Sequence, residues 1–153
     1  MTPQNLQSFQ SMLFFDIWLT AFVVLITTAL LIFKFSSLGF PSGQFGIEFF
    51  VIILFVILSY LKIRFGMIGN RTEQINCILL MIFLGVFSGF CNFYFLFGQT
   101  YIMVIEVVLN SICITFTGLE IIQGLIVSVR FQMVARNDDE LRAAKARQLE
   151  GAK

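Results

Sequence analysis

The sequence predicts an all-α membrane protein: four transmembrane helices in an up-down-up-down bundle, with a short cytoplasmic helix at the C-terminus. Three observations predict it. Of 153 residues, 58% are hydrophobic and 12% charged, against about 25% charged in an average soluble chain, so a soluble fold would lack the charge to cover its surface. Four apolar runs each exceed the ~18 residues that mark a bilayer-crossing helix. The connections between them are short, which forces antiparallel neighbours. The 20 phenylalanines agree, because lipid solvates aromatic side chains outside a bundle that one water-soluble core could not hold.

The first run spans about Met12 to Phe35. No basic side chain precedes it and no A-x-A site follows. It is also longer than the roughly 7–15 residues of a signal h-region, so it is expected to remain as a span. Thr2-Pro3 upstream has the form of a cap followed by proline at the first helical position. The stretch Ser36 to Gly46 holds Gly39, Pro41, Gly43 and Gly46 and breaks the helix. The second run covers Ile47 to Phe65. A basic turn follows from Lys62 to Gln74, containing Arg64, Gly66, Gly69, Asn70, Arg71 and Glu73. The third run, Ile75 to Phe97, reverses at Gly98, and the fourth covers Tyr101 to Val129. Residues 1–130 thus form the membrane domain and 131–153 a basic cytoplasmic tail. Within the tail Asn137 stands three before Glu140, a capping pattern that predicts a separate short helix. That helix reads either as a solvated juxtamembrane segment that holds orientation, or as a contact for a cytoplasmic partner or for anionic lipid heads, at about 1 kcal/mol per basic residue.

Lysine and arginine bias sets the orientation. Lys62, Arg64, Arg71, Arg130, Arg136, Arg142, Lys145, Arg147 and Lys153 fall on one side, and Lys34 alone on the other. Both termini are therefore expected in the cytoplasm, with Trp18 and Tyr60 as interface anchors. The sequon Asn70-Arg-Thr72 would then face the cytoplasm and stay bare.

Chemistry is sparse. With no histidine, the usual neutral-pH acid/base residue and the commonest zinc ligand are missing. Cys77, Cys91 and Cys113 lie in apolar runs without CxxC spacing and read as small buried residues. No nucleophile with a base, no metal or cofactor set and no nucleic-acid patch is evident. The fourth run departs from plain lipid-soluble helix: Glu106, Asn110, Cys113, Thr117, Glu120 and Gly124 recur every three or four residues and form one polar seam. An ionised carboxylate at the bilayer centre costs about 2.5–3.5 kcal/mol on insertion scales, so the seam faces protein or water. Three readings stand: packing inside the bundle, binding of another membrane protein, or a proton or cation path. Mid-span, the other helices offer only Thr20, Thr27, Thr28, Ser88 and Asn92 as partners, and Asp16 and Glu48 sit near span ends within reach of headgroup water. Gly85 and Gly89 form a GxxxG that allows close helix approach.

The segment Lys62-Ile-Arg-Phe-Gly-Met-Ile-Gly-Asn-Arg-Thr-Glu73 resembles the second-loop signature of the family of transmembrane proteins 216, 17 and 80: a basic residue four before glycine, G-x-x-G-N, and a glutamate three later. Gln99-Thr-Tyr101, Glu106-Val-Val-Leu-Asn110 and Gly118-Leu-Glu120 resemble its fourth helix in order and spacing. Lys62 stands where the family usually has arginine, and Ser59 where glutamate is common. The resemblance covers about Ser59 to Gly124. It implies a four-span, non-enzymatic protein of the ciliary transition zone. Such a protein would assemble with tectonics and meckelin, support ciliogenesis and gate the entry of ciliary membrane proteins. The residues alone leave open a small transporter or channel subunit using Glu106 and Glu120, or an accessory subunit of another membrane complex.

Overall fold

The computed structural model describes residues 4–39 and 43–151. They form four helices: α1 (Gln4–Leu38), α2 (Gln44–Thr72), α3 (Ile75–Phe97) and α4 (Val104–Gly151). No strand occurs among the described residues, and all four helices are long and apolar enough to cross a membrane. The chain is an all-α, four-span membrane bundle. α3, with 23 residues, is about 35 Å long at 1.5 Å per residue and matches a hydrocarbon core of about 30 Å. Each helix packs on its sequence neighbours, and α4 closes the ring against α1.

Three helices, α1, α2 and α4, outrun their expected spans at one or both ends, and α3 matches its own. The expected cap at Thr2-Pro3 and the helix breaker Pro41 lie outside the described residues. The expected break before a separate tail helix does not occur, because nothing from Leu125 to Glu150 is glycine or proline and α4 runs on to Gly151. Asn137 is therefore mid-helix, and Arg136 instead pairs with Glu140 one turn on, 3.6 Å apart and exposed, worth about 0.3–0.5 kcal/mol. The third connection is longer than a tight reversal and reaches Met103 before α4 begins.

The second connection is corrected most. Lys62, Gly66, Gly69 and Asn70 are not loop residues: α2 carries them to Thr72, and all four are buried. Their spacing of 4, 3 and 1 keeps them on one helical face. The turn itself is only Glu73 and Gln74, with Glu73 in the left-handed region at φ 54°, the conformation that commonly closes a helix C-terminus. Arg64 faces outward over the Tyr60 ring, while Lys62 points inward. The sequon asparagine, Asn70, is buried in α2 and does not lie in a loop.

Glycine placement explains the close contact of α2 with its neighbours. A Cβ on Gly69 would lie 2.8 Å from Ile78 Cγ1 and 3.1 Å from the Ile78 backbone nitrogen; one on Gly66 would lie 3.1 Å from both Leu13 methyls. The expected Gly85–Gly89 approach is not formed in this way: Gly85 makes ordinary contact with Ile121, and Gly89 opens onto empty space.

Packing alternates along the bundle axis. Near the 73–74 turn, Phe9, Leu13, Ile78, Met81 and Val127 form one apolar cluster. Toward the opposite end, Leu31, Ile52, Phe55, Cys91 and Phe95 form another. The outer surface is rich in large apolar side chains, Phe15, Trp18, Phe22, Phe50, Phe90 and Phe97 among them, whereas Asp16, Lys34, Glu48, Lys62, Glu106 and Glu120 lie inside. That inversion suits a lipid solvent. Gly69→Val should cost about 1–3 kcal/mol by overpacking, whereas Gly89→Ala should be neutral or stabilise by up to about 1 kcal/mol through helix propensity. Unfolding of both variants in detergent micelles checks this, and equal effects would remove the close-approach argument.

Candidate functional site

Five charged side chains from three helices meet one another inside the bundle. On α2, Lys62 is 1% exposed. Its Nζ lies 2.8 Å from Asp16 Oδ2 on α1 and donates to Glu120 Oε2 on α4 at 2.7 Å. One ammonium thus serves two carboxylates and ties α2 across the bundle to α4. Gly85 on α3 faces the Lys62 stem, and the Ser59 and Ser88 hydroxyls meet at 3.3 Å one turn away on α2 and α3.

The second group lies at the opposite end. Lys34, near the end of α1 and fully buried, donates to Glu106 Oε2 at 2.5 Å and to Gln99 Oε1 at 3.0 Å. Glu106 also accepts the Met103 N–H at 3.2 Å. As the third residue of α4 it thereby closes one arm of a capping box, so one carboxylate both starts α4 and holds α1 to it. Beside it, Glu48 of α2 accepts the Thr100 N–H at 2.8 Å, and Gln44 accepts the Thr100 hydroxyl at 2.6 Å. The third connection is thus fixed by α1 and α2 together.

The α4 seam joins the two groups. Glu106, Asn110, Cys113, Thr117, Glu120 and Gly124 are all buried within the single chain, and Ile82 of α3 packs over Gly124. Asn110 Nδ2 donates to the Glu106 carbonyl at 2.8 Å and Asn92 Nδ2 to the Ser88 carbonyl at 3.2 Å. Of the cysteines, Cys91 and Cys113 are buried and Cys77 is half-buried; all three are free. Several buried oxygens in this column have no protein donor: Glu48 Oε2, Asn92 Oδ1, Glu106 Oε1, Asn110 Oδ1 and Glu120 Oε1.

Sequence reasoning missed the partners. It placed Asp16 and Glu48 in headgroup water, Lys62 in a loop and Lys34 alone outside, yet these four are among the most deeply buried side chains. The signal was there in the spacing. Asp16 and Lys34 are 18 residues apart, five helical turns, and so share one face of α1. On α2, Glu48, Ile52, Phe55, Ser59, Lys62, Gly66 and Gly69 are all buried and recur at steps of 4 and 3, the same rhythm as the α4 seam.

The sequence model of a family described as a predicted membrane protein matches residues 11–117. That match takes in Asp16, Lys34, Glu48, Lys62 and Glu106 and stops three residues short of Glu120. The chain is 23% identical over 123 residues to transmembrane protein 216 of Rattus norvegicus, covering 80% of this chain and 87% of the relative. Identity to the Homo sapiens protein of that name is 22% over 121 residues, 79% and 83% of the two chains. For the Danio rerio protein it is 24% over 108 residues, 71% and 68%. No solved structure matches the chain.

Removing one member of a buried pair strands the other, at about 3–5 kcal/mol, whereas replacing both by apolar groups is often neutral or better. Lys34→Met should therefore destabilise the bundle by that amount. Adding Glu106→Leu should recover most of the loss, short of the Met103 bond at about 1 kcal/mol. A double-mutant cycle in micelles measures it; additive losses would show that the pair is not coupled.

Proposed function

The chain belongs to the Transmemb_17 family of predicted membrane proteins, and from that premise we propose that it is a non-enzymatic structural component of the ciliary transition-zone membrane complex. There it would support ciliogenesis and the barrier to ciliary membrane proteins. The observation that carries this reading is that Asp16, Lys34, Lys62, Glu106 and Glu120 bind one another across helices. Groups held in this way fix how the helices pack and are turned toward one another inside the bundle. The motif resemblance to the transmembrane protein 216, 17 and 80 family, and relatives bearing the first of those names, support the ciliary setting. Tectonics and meckelin are the partners that the resemblance implies.

With Gly66, Gly69 and Asn70 buried, the surface offered to cytoplasmic partners is the exposed stretch Arg71–Gln74 and the α4 extension beyond Arg130. Lys34 and Lys62 lie inside the bundle, so the seven other basic residues among the described ones belong to the side of the 73–74 turn. This bias supports cytoplasmic termini and contact of the tail with anionic lipid. A tagged copy should concentrate at the ciliary base and co-purify with other transition-zone membrane proteins. Diffuse signal over internal membranes with no enrichment there would sink the reading.

A second reading, a small transporter or channel subunit, gains from one observation. Glu106 and Glu120 each have a lysine partner and each keep a buried oxygen without a protein donor. Reconstituted in vesicles, the protein should show no proton or cation flux. Flux that Glu120→Gln abolishes would displace the scaffold reading. An accessory role in another membrane complex would instead show as co-purification of that complex without ciliary enrichment.

A further inference from the structure

We propose that the Asp16–Lys62–Glu120 triad is a proton-binding site, with one proton held on its two carboxyl groups. Two carboxylates and one ammonium, all at most 3% exposed, carry a net charge of −1 when all three are ionised. Among the described residues no further lysine or arginine pairs with them: α1 brings Asp16, α2 brings Lys62 and Ser59, α3 brings Gly85 and Ser88, and α4 brings Glu120, with Cys113 buried two turns before it on the same face. An uncompensated charge in hydrocarbon costs several kcal/mol. Adding one H⁺ to either carboxylate brings the cluster to zero.

The geometry names the place. Asp16 Oδ2 and Glu120 Oε2 approach the same Lys62 Nζ at 2.8 Å and 2.7 Å, which brings the two carboxyl groups close together, and a like-charged pair sharing one site favours protonation of one member. Glu120 Oε1 is fully buried and meets no protein donor. Left without a donor, that oxygen costs more in an ionised carboxylate than in a neutral carboxyl. The outer group differs: there Lys34 and Glu106 balance one to one, and Glu48 meets a backbone N–H. The inference stands on the triad alone and is independent of where the protein resides.

Infrared spectroscopy of the full chain in lipid at neutral pH tests it, since a protonated buried carboxyl has a carbonyl stretch that ionised groups lack. Glu48→Gln serves as the reference, because Glu48 is a buried carboxyl outside the triad that meets a backbone N–H and, among the described residues, no lysine. In that background the band should correspond to one carboxyl per chain. Adding Asp16→Asn or Glu120→Gln should abolish it, with helicity retained by circular dichroism, because the remaining carboxylate then pairs with Lys62 unaided. If neither added variant folds, the reference spectrum decides: a band supports the site and its absence overturns it. A band unchanged by both folded variants also overturns the proposal. So does an absent band in a protein that sodium or potassium stabilises, which would make a metal cation the ligand.

Discussion

An ammonium in hydrocarbon must be paired, and in this bundle that requirement positions the helices. Apolar faces cannot select one helix arrangement over another when lipid is as apolar as leucine. Lys62 can, because it must lie where a carboxylate reaches it, and both Asp16 and Glu120 do. The constraint fixes the rotation of α1, α2 and α4 about their own axes and their relative heights. Lys34 repeats it at the other end, so α1 and α4 are pinned at two levels. α3 carries no charge and is placed by contact: Ile78 and Met81 in one apolar cluster, Phe95 in the other.

Glu106 shows how economical the arrangement is. Its carboxylate receives Lys34 and the Met103 N–H, joining helix capping to tertiary pairing in one group. The neighbouring Gln99 and Thr100 are gripped by Lys34 and Glu48. A connection that has no helix of its own is thus held by side chains from α1 and α2.

The four spans and the α4 seam were legible because long apolar runs and a 3–4 rhythm are local properties. The partners of the seam were not, for two physical reasons. Charged residues near the ends of apolar runs read as headgroup contacts, and nothing local distinguishes Asp16 or Lys34 snorkelling outward from the same residue turned in. Gly66 and Gly69 read as turn formers for a similar reason. Glycine marks both a bend and a close helix approach, and only the positions of Leu13, Cys77 and Ile78 decide which. The face pattern shared by α2 and α4, with a charge at matching steps, was the available clue. Pairing two helices by their charges asks for comparison across the chain, beyond reading each run alone. The tail was misread because a capping sequence promotes a helix start without enforcing one.

The uninterrupted α4 has a mechanical consequence. Its last 21 residues past Arg130 form a rod about 31 Å long at 1.5 Å per residue, continuous with the segment that bears Glu106 and Glu120. Such a rod is a lever whose fulcrum is the pair of lysine clamps. A tilt of about 10° at the membrane would swing its tip by about 5 Å. A load applied at that tip would reach the clamps as torque, so the stiffness of two buried ion pairs sets how far the arm yields.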